Sequence, residues 1–346
     1  METSSPRGRV VDVGRLGART SPRAGQLVPA DASPGSSTRD LMPLMVSGSP
    51  AMLAIFEHID RWAPYPDSIL LRGAEGVGKT MIARYIHERS GRKGAFASES
   101  AAGVQGSLLK AELFGFAKHS FTGANETREG LIETANGGTF FLDELGDTDA
   151  ELQGLLIQFM DQRAIRRIGE RRFRPMNVRF IAATNADLEE RIAQRKFRSD
   201  LLARFGKLVV WIPSLSERRD EIVPLARHFM AQISREFQLP QPLVFAPRVE
   251  RILRHAPWDK NVRELQSTCR YAAIEVGRTA QLIEERHLPP DVLASVPLRP
   301  RAEDDEALAA ACRAALARSG GDKKAAAKAL GISRTTLYAV LRRTSE

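Results

Sequence analysis

From residue 49 onward the apolar positions keep two rhythms. Between Ser49 and Asp60, Met52, Ile55, Phe56 and Ile59 recur at helical spacing, and Met81, Ile82, Tyr85 and Ile86 do so again before Gly91. Between these two helices, Ser68–Arg72 is a short apolar run that predicts a buried strand. Further strands are predicted at Phe96–Ser100, Gly137–Asp143, Val178–Thr184 and Lys207–Ile212, the last ended by Pro213. Helical patterns separate them, one around 107–113 and one with Leu152, Leu155, Leu156, Phe159 and Met160 on its core face. Thr148 and Glu151 stand at the spacing of a capping box for the second. Continuously apolar strands alternating with helices predict an α/β fold, a parallel sheet with helices on both faces. Beyond Ser214 the strand pattern stops. Helical periodicity over 222–237, 247–255, 262–276 and 284–293 predicts a small, all-helical second subdomain.

Both ends of the chain depart from this pattern. Residues 1–44 are rich in Ser, Pro, Gly and Arg without periodicity, and are expected to form a disordered tail, with a basic nucleic-acid-binding arm as the other reading. At the other end, 295–305 reads as a linker and 306–346 as an alanine-rich helical unit. There Ser319-Gly-Gly321 breaks a helix, Asp322 caps 323–330, Gly331 turns the chain, and Ser333 caps a basic helix over 334–343. Helix, glycine turn and basic helix spell a helix-turn-helix packed through Ala327, Leu330, Ile332, Leu337 and Leu341. Ser333, Arg334, Thr335, Thr336, Tyr338 and Arg342 are left to face DNA, a plain protein contact being the other reading of a basic helical hairpin. The expected units are 1–44, 45–213, 214–294, 295–305 and 306–346.

Composition narrows the function classes. The 346 residues carry a net charge of +9, which favours an anionic partner such as nucleic acid. No apolar run approaches the ~18 residues of a membrane span, and the N-terminus lacks a secretory signal core, so a cytoplasmic protein is expected. The two cysteines, Cys269 and Cys312, have no metal-ligand spacing and read as buried or incidental thiols.

The chemistry is concentrated around one octapeptide: Gly73, Ala74, Glu75, Gly76, Val77, Gly78, Lys79 and Thr80. Glycine, four variable positions, then Gly-Lys-Thr, set between a strand and a helix, is the pattern of a phosphate-binding loop. Successive N–H groups can curl around phosphate oxygens, and the helix N-terminus adds its positive end. Lys79 is placed to reach the outer phosphates of ATP, and the Thr80 hydroxyl to ligate Mg2+. The strand Gly137–Asp143 delivers Asp143 and Glu144 to the same edge of the sheet, the first for magnesium and the second to deprotonate water. Thr184 and Asn185, ending a neighbouring strand, can sense the γ-phosphate or the attacking water.

Two segments stay open on the residues alone. Arg166–Arg174 is a basic hairpin-like stretch, by default a solvated charged turn and otherwise a polyanion contact. Phe116–Asn125 is a polar loop carrying Phe121, which can tuck into the core or remain exposed for a partner.

Taken together the chain resembles the sigma-54-dependent transcriptional activators, the enhancer-binding branch of the AAA+ ATPases, from about Ser47 to the C-terminus. The resemblance is carried by Glu112-Leu-Phe-Gly115, Ser120-Phe-Thr-Gly-Ala124, Gly137-Gly-Thr, Leu142-Asp-Glu144 and Ala183-Thr-Asn185. Phe197-Arg198, Asp200-Leu201, Trp258, Asn261-Val-Arg-Glu-Leu265 and a Fis-type helix-turn-helix complete it. It implies ATP and Mg2+ at Lys79, Thr80 and Asp143, hydrolysis by Asp143 and Glu144, and Asn185 in the sensor strand. It makes Arg263 the lid arginine that reads nucleotide state, and Arg198 and Arg204 the fingers reaching a neighbouring subunit of a ring, expected to be a hexamer. Phe121, Thr122, Gly123 and Ala124 become the loop tip that engages sigma-54 RNA polymerase. The implied function is an activator that binds upstream DNA and uses hydrolysis to remodel the sigma-54 closed complex. The alternative is a DNA-binding regulator or accessory ring ATPase acting without direct sigma-54 engagement. Departures from the family pattern are His119-Ser120 for Gly-Ala, Ser100 for an asparagine, and Trp258-Asp-Lys-Asn261 for Trp-Pro-Gly-Asn. The receiver domain common in the family is not expected, so control is expected from a regulatory partner in its place, from expression level or from oligomerisation.

Overall fold

The computed structural model describes residues 49–296, apart from 105, 122–123, 240 and 278–280, together with 310, 312–330 and 337. The expected N-terminal tail, most of the linker and most of the second helix of the expected helix-turn-helix lie outside these residues. The assignments made to Thr122, Gly123, Ser333, Arg334, Thr335, Thr336, Tyr338 and Arg342 lie outside the described residues.

Five parallel strands form the main sheet: β1 (Ile69–Arg72), β2 (Phe96–Ser100), β3 (Thr139–Asp143), β4 (Arg179–Thr184) and β5 (Val209–Trp211). Their spatial order is β2-β3-β4-β1-β5, all neighbours parallel. The apolar runs are continuous because alternate residues serve two cores. Leu70, Phe140, Leu142, Phe180 and Ala182 face α3 (Gly106–Phe114) and α4 (Ala150–Gln162), meeting Leu109, Leu113, Leu152, Leu156 and Phe159. Ile69, Leu71, Phe141, Ile181 and Ala183 face α1 (Pro50–Trp62) and α2 (Lys79–Arg89), meeting Met52, Phe56, Ile59, Ile82 and Ile86. Each fully buried side chain of this size contributes about 1.5–3 kcal/mol. Phe140 and Phe180 are register partners on neighbouring strands, and their rings stack at 5.8 Å.

An arginine fixes the entry to this sheet. Arg179, the first residue of β4, is fully buried, and its guanidinium donates to the carbonyls of Ala63 at 2.5 Å, Trp62 at 3.1 Å and Asp67 at 3.2 Å. It satisfies carbonyls at and beyond the C-terminal end of α1, where a helix has none of its own donors left. Burial pulls the guanidinium down to about 10.

Three sequence expectations are corrected. Helix α4 is capped by Asp149, whose carboxylate accepts from Leu152 N–H at 2.7 Å, not by Thr148. The Thr148 hydroxyl instead donates to Leu145 O at 2.7 Å, closing the preceding turn. The basic hairpin is not wholly solvated: Arg167 is buried and bonded to Glu133 and Glu129, and Arg174 pairs with Glu170. The third concerns the region beyond Ser214, whose core is built largely by α5 (Ile222–Glu236), α6 (Pro247–His255) and α7 (Asn261–Val276). It is not all-helical, because Val244–Phe245 and Leu282–Ile283 pair as a short parallel ladder. The 284–293 segment is a 3-10 turn at Glu285–His287 followed by a helix over Pro290–Ser295.

Near the C-terminus, residues 312–318 are helical and Asp322 caps α8 (Lys323–Ala329) by accepting from Lys324 and Ala325 N–H. Cys312, Ala315, Ala326, Ala327 and Leu337 share a small core of their own. Cys269 and Cys312 are both buried and free of a disulfide, and desolvation raises both thiols; the Cys269 thiol donates to Ala226 O at 3.9 Å. Among the described residues no helix is long and apolar enough to cross a membrane.

Candidate nucleotide site

The strand order reverses between β1 and β4, and in an open parallel sheet the crevice at that reversal is where ligands bind. The residues Gly73–Thr80 leave β1 there. A side chain at Gly73 would lie 2.8 Å from Ile212 O, so the loop has to run against the end of β5 without one. Gly76 has φ +75, and its Cβ would lie 2.1 Å from Lys260 O. Among the described residues the N–H groups of 74–78 make no hydrogen bond, which leaves them to face an anion. Lys79, buried at the start of α2, donates to Gly73 O at 3.0 Å and Ala74 O at 3.2 Å. These glycine-shaped, uncommitted donors beside a buried ammonium fit a polyphosphate.

The acid pair arrives as the sequence predicts. Asp143 ends β3, and Glu144 follows in a left-handed conformation (φ 53°, ψ 48°), which is uncommon for a non-glycine residue. Asp143 Oδ1 accepts from Glu144 N–H at 3.0 Å. One Glu144 oxygen accepts from Asn185 N–H at 3.2 Å, and the other lies 3.8 Å from Lys79 Nζ. Burial raises the Glu144 carboxyl above its ordinary range, the Asn185 N–H and the Lys79 charge opposing it. Asn185 thus meets Glu144 through its backbone, directly after β4 ends at Thr184. Ser100 ends β2 in register with Asp143, and its hydroxyl accepts from Ala102 N–H at 3.2 Å. The hydroxyl therefore shapes a local turn. Thr80 is exposed on the first turn of α2, and Asp143 is half-buried at the edge of the sheet.

The helical region supplies the other wall. Asn261 Nδ2 donates to Glu75 O at 2.8 Å, Val262 N–H to Gly76 O at 3.0 Å, and Arg218 Nη2 to Val77 O at 2.9 Å. Arg263 forms a close ion pair with the Glu75 carboxylate. Three successive loop carbonyls are thereby bound by one region of the chain. Sequence reasoning found Arg263 but missed Asn261 as a loop contact, and missed Arg218 altogether. Arg218 and Glu221 form a fully buried ion pair at 2.9 Å, in which burial pulls the guanidinium down and pushes the carboxyl up. Arginine and glutamate three residues apart at a helix start was the available signal, and it is too common to read alone.

Arg198 and Arg204 bracket α-helical Ser199–Ala203. Arg198 is held by both oxygens of Asp200 (3.1 and 2.8 Å), and Arg204 by both of Asp161 (2.7 and 2.5 Å). Arg198 is exposed and Arg204 half-buried, and neither makes a described contact with Gly73–Thr80 or Glu144.

Phe121 is 47% exposed, its ring edge-on to Phe116 at 5.1 Å, so it does not tuck into the core. Ala124 is buried. The loop leans on the basic hairpin: Ala117 N–H donates to Ile168 O at 2.9 Å, and Ile168 N–H to Gly115 O at 2.9 Å. Gly169 lies so close that a Cβ there would come within 2.5 Å of Ser120 Cβ. His119 occupies φ +64, the region that glycine adopts most readily, and its N–H donates to Ala124 O at 2.8 Å.

A parallel sheet with a phosphate loop at its switch point, a buried acid beside the loop lysine, and a helical region seated on the loop define an ATPase with a lid. Comparison with known families agrees along the chain. Residues 45–210 match the Sigma-54 interaction domain, 216–310 the AAA+ ATPase lid domain, and 313–343 the bacterial regulatory proteins of the Fis family. The transcriptional regulatory protein ZraR of Klebsiella oxytoca is 38% identical over 306 residues, 86% of this chain and 68% of that protein. The regulator NtrC of Salmonella typhimurium is 36% identical over 267 residues, 73% and 57% of the two chains. NtrX of Brucella abortus, solved in complex with ADP, superposes with a TM-score of 0.68 at 28% identity, covering 89% of this chain and 71% of that one. The same protein solved with ATP gives 0.63 at 29% identity, covering 85% and 68%. The chain belongs to the sigma-54-dependent transcriptional activators: it is a nucleotide-binding AAA+ ATPase with a helical lid and a Fis-type helix-turn-helix.

Proposed function

We propose that this chain assembles as a ring, binds DNA upstream of its promoters, and uses ATP hydrolysis in the cytoplasm to remodel the sigma-54 RNA polymerase closed complex. The observation that carries the chemistry is Glu144, held between Lys79 Nζ and the Asn185 N–H with its carboxyl raised by burial. A carboxylate of raised pKa is a stronger base, and its place beside the loop lysine suits it to take a proton from the attacking water. Lys79 and the N–H groups of 74–78 hold the phosphates. Thr80 and Asp143 would hold Mg2+, which neutralises charge between the outer phosphates. Asn185 orients Glu144 through its N–H, and Arg263 reads the nucleotide from the lid.

Arg198 and Arg204 act in trans on a neighbouring subunit. The exposure of Arg198, and the lack among the described residues of a contact from either arginine to its own loop, support that role, as does the match of a planar guanidinium to phosphate charge. Exposed Phe121, with Thr122, Gly123 and Ala124, forms the tip that engages sigma-54. Ser333, Arg334, Thr335, Thr336, Tyr338 and Arg342 contact DNA. Control comes from a regulatory partner protein or from the assembly itself.

A purified sigma-54 promoter assay tests the reading. The parent should convert closed to open complexes with ATP, while Thr122→Ala should hydrolyse ATP within a few-fold of the parent and open none. A parent that hydrolyses ATP, yet neither opens promoters nor binds sigma-54 with an ATP transition-state mimic, would overturn it.

A further inference from the structure

We infer that Glu75 tempers the preference of the site for ATP over ADP, by holding Arg263 with a carboxylate that the terminal phosphate of ATP must displace. The inference rests on reading Gly73–Thr80 as the phosphate loop and Arg263 as the arginine that reads the nucleotide.

An ion pair between two half-exposed side chains ordinarily contributes little, because ordering two long side chains offsets the attraction. This pair is different in how its partners are placed. The backbone of Glu75 is fixed by Asn261 Nδ2 at 2.8 Å, and the next carbonyl by the N–H of Val262 at 3.0 Å. Lys260 O closes on Gly76 so tightly that no Cβ fits between them. The residues on either side of both Glu75 and Arg263 are therefore docked independently of the ion pair, and the side chains meet without having to bring the two segments together. Arg263 also spends little of its donor capacity: only Nη1 bonds the carboxylate, to a single oxygen. A guanidinium offers five N–H donors in a planar fork, and a phosphate group presents three oxygens and more negative charge than a carboxylate.

Exchange of the carboxylate for a phosphate is thus favourable for Arg263, and ATP carries one phosphate group more than ADP with which to make it. The exchange has a cost that falls on ATP alone. Glu75 must give up its partner, and its negative charge then stands beside the incoming group. Glu75 therefore weakens ATP binding and leaves ADP binding nearly unchanged, because only the terminal phosphate gains the lid arginine by displacing a carboxylate.

The test is calorimetric titration of the full-length chain with a non-hydrolysable ATP analogue and with ADP. Glu75→Gln keeps the side-chain shape and the backbone contacts while removing the charge. It should tighten the ATP analogue by about two- to five-fold, the range that a surface ion pair can contribute, and change ADP less. In an Arg263→Ala background the same substitution should lose its selective effect. Equal shifts for both nucleotides, no shift, or a shift that survives in the Arg263→Ala background would overturn the inference. The last outcome would mean simple like-charge repulsion between Glu75 and phosphate. Lys79→Ala separates the two levels of the reasoning. If it fails to weaken either nucleotide, the phosphate-loop reading falls and this inference with it.

Discussion

Gly76→Ala isolates the contact between lid and loop. Two separate strains are worked from the structure. The backbone at Gly76 has φ +75, and a non-glycine residue in that region costs about 1–2 kcal/mol. The new Cβ would also lie 2.1 Å from Lys260 O. That oxygen belongs to a backbone turn, Asn261 N–H donating to Trp258 O at 2.8 Å, and cannot swing aside as a flexible side chain would. Overpacking of this kind costs about 1–3 kcal/mol. Gly91→Ala is the matched control, because Gly91 has φ +69 with nothing within 4 Å of its built Cβ. The two substitutions share the backbone term and differ in the contact, so Gly76→Ala should be worse by about 1–3 kcal/mol. That difference corresponds to about a 5- to 150-fold fall in the population with the lid docked on the loop, at a factor of ten for every 1.4 kcal/mol. Hydrogen exchange of the Val262 amide, which donates to Gly76 O, reads the docked population directly, and nucleotide titration reads its consequence. Equal effects of the two alanines on Val262 exchange and on ATP-analogue affinity would refute the contact as a determinant of the site.

Glu144→Gln should bind ATP normally and lose about 10²- to 10⁴-fold in turnover, the usual contribution of a general base, so unimpaired turnover would remove Glu144 from that role. Because burial raises the Glu144 carboxyl, the acid limb of the parent's turnover–pH profile should lie above the ordinary glutamate value of 4.5, activity falling as the carboxylate is protonated. A limb at or below that value would contradict the buried environment. If Arg198 and Arg204 act in trans, mixing either Arg→Ala variant with Lys79→Ala should give more hydrolysis than the two variants separately, since a finger contributes about 10³-fold or more. No gain in rings shown to be mixed would count against both. His119→Gly should leave ATPase turnover within a few-fold and remove a left-handed non-glycine residue. Relief of that strain is about 1–2 kcal/mol, less the added chain entropy of glycine, so the melting temperature should hold or rise. A clear fall would show that the histidine side chain supports the loop.

The sheet was legible because its strands are buried on both faces. Ile69–Leu71, Phe140–Leu142 and Phe180–Ala183 read as unbroken apolar runs since neighbouring residues enter different cores. The phosphate loop and acid pair were legible because each is contiguous in sequence and delivered by the end of one strand. What escaped reading depends on partners far along the chain. Arg179 looks like a polar interruption of a strand until the carbonyls of Trp62 and Ala63 are placed beside it. Arg218 becomes part of the loop's support only through Val77 O, and Asn261 only through Glu75 O. The choice between Thr148 and Asp149 as helix cap turned on one residue of phase, which two adjacent capping types leave undecided. The ladder formed by Val244–Phe245 and Leu282–Ile283 is too short to leave a period in the sequence.

The buried guanidinium of Arg179 has a mechanical consequence. It ties the trailing end of the first helix to the leading end of β4, through hydrogen bonds from a charged donor in a site without exposure to solvent. Hydrogen bonds of that kind are among the stiffest non-covalent joints a chain can make. β4 runs from this joint to Thr184, and the next amide, Asn185, grips the carboxylate of Glu144. Helix, joint and strand form one spar, with the Glu144 carboxylate at its far tip. The helix Pro50–Trp62 is therefore coupled, through Arg179 and β4, to the strand end whose next amide holds the Glu144 carboxylate.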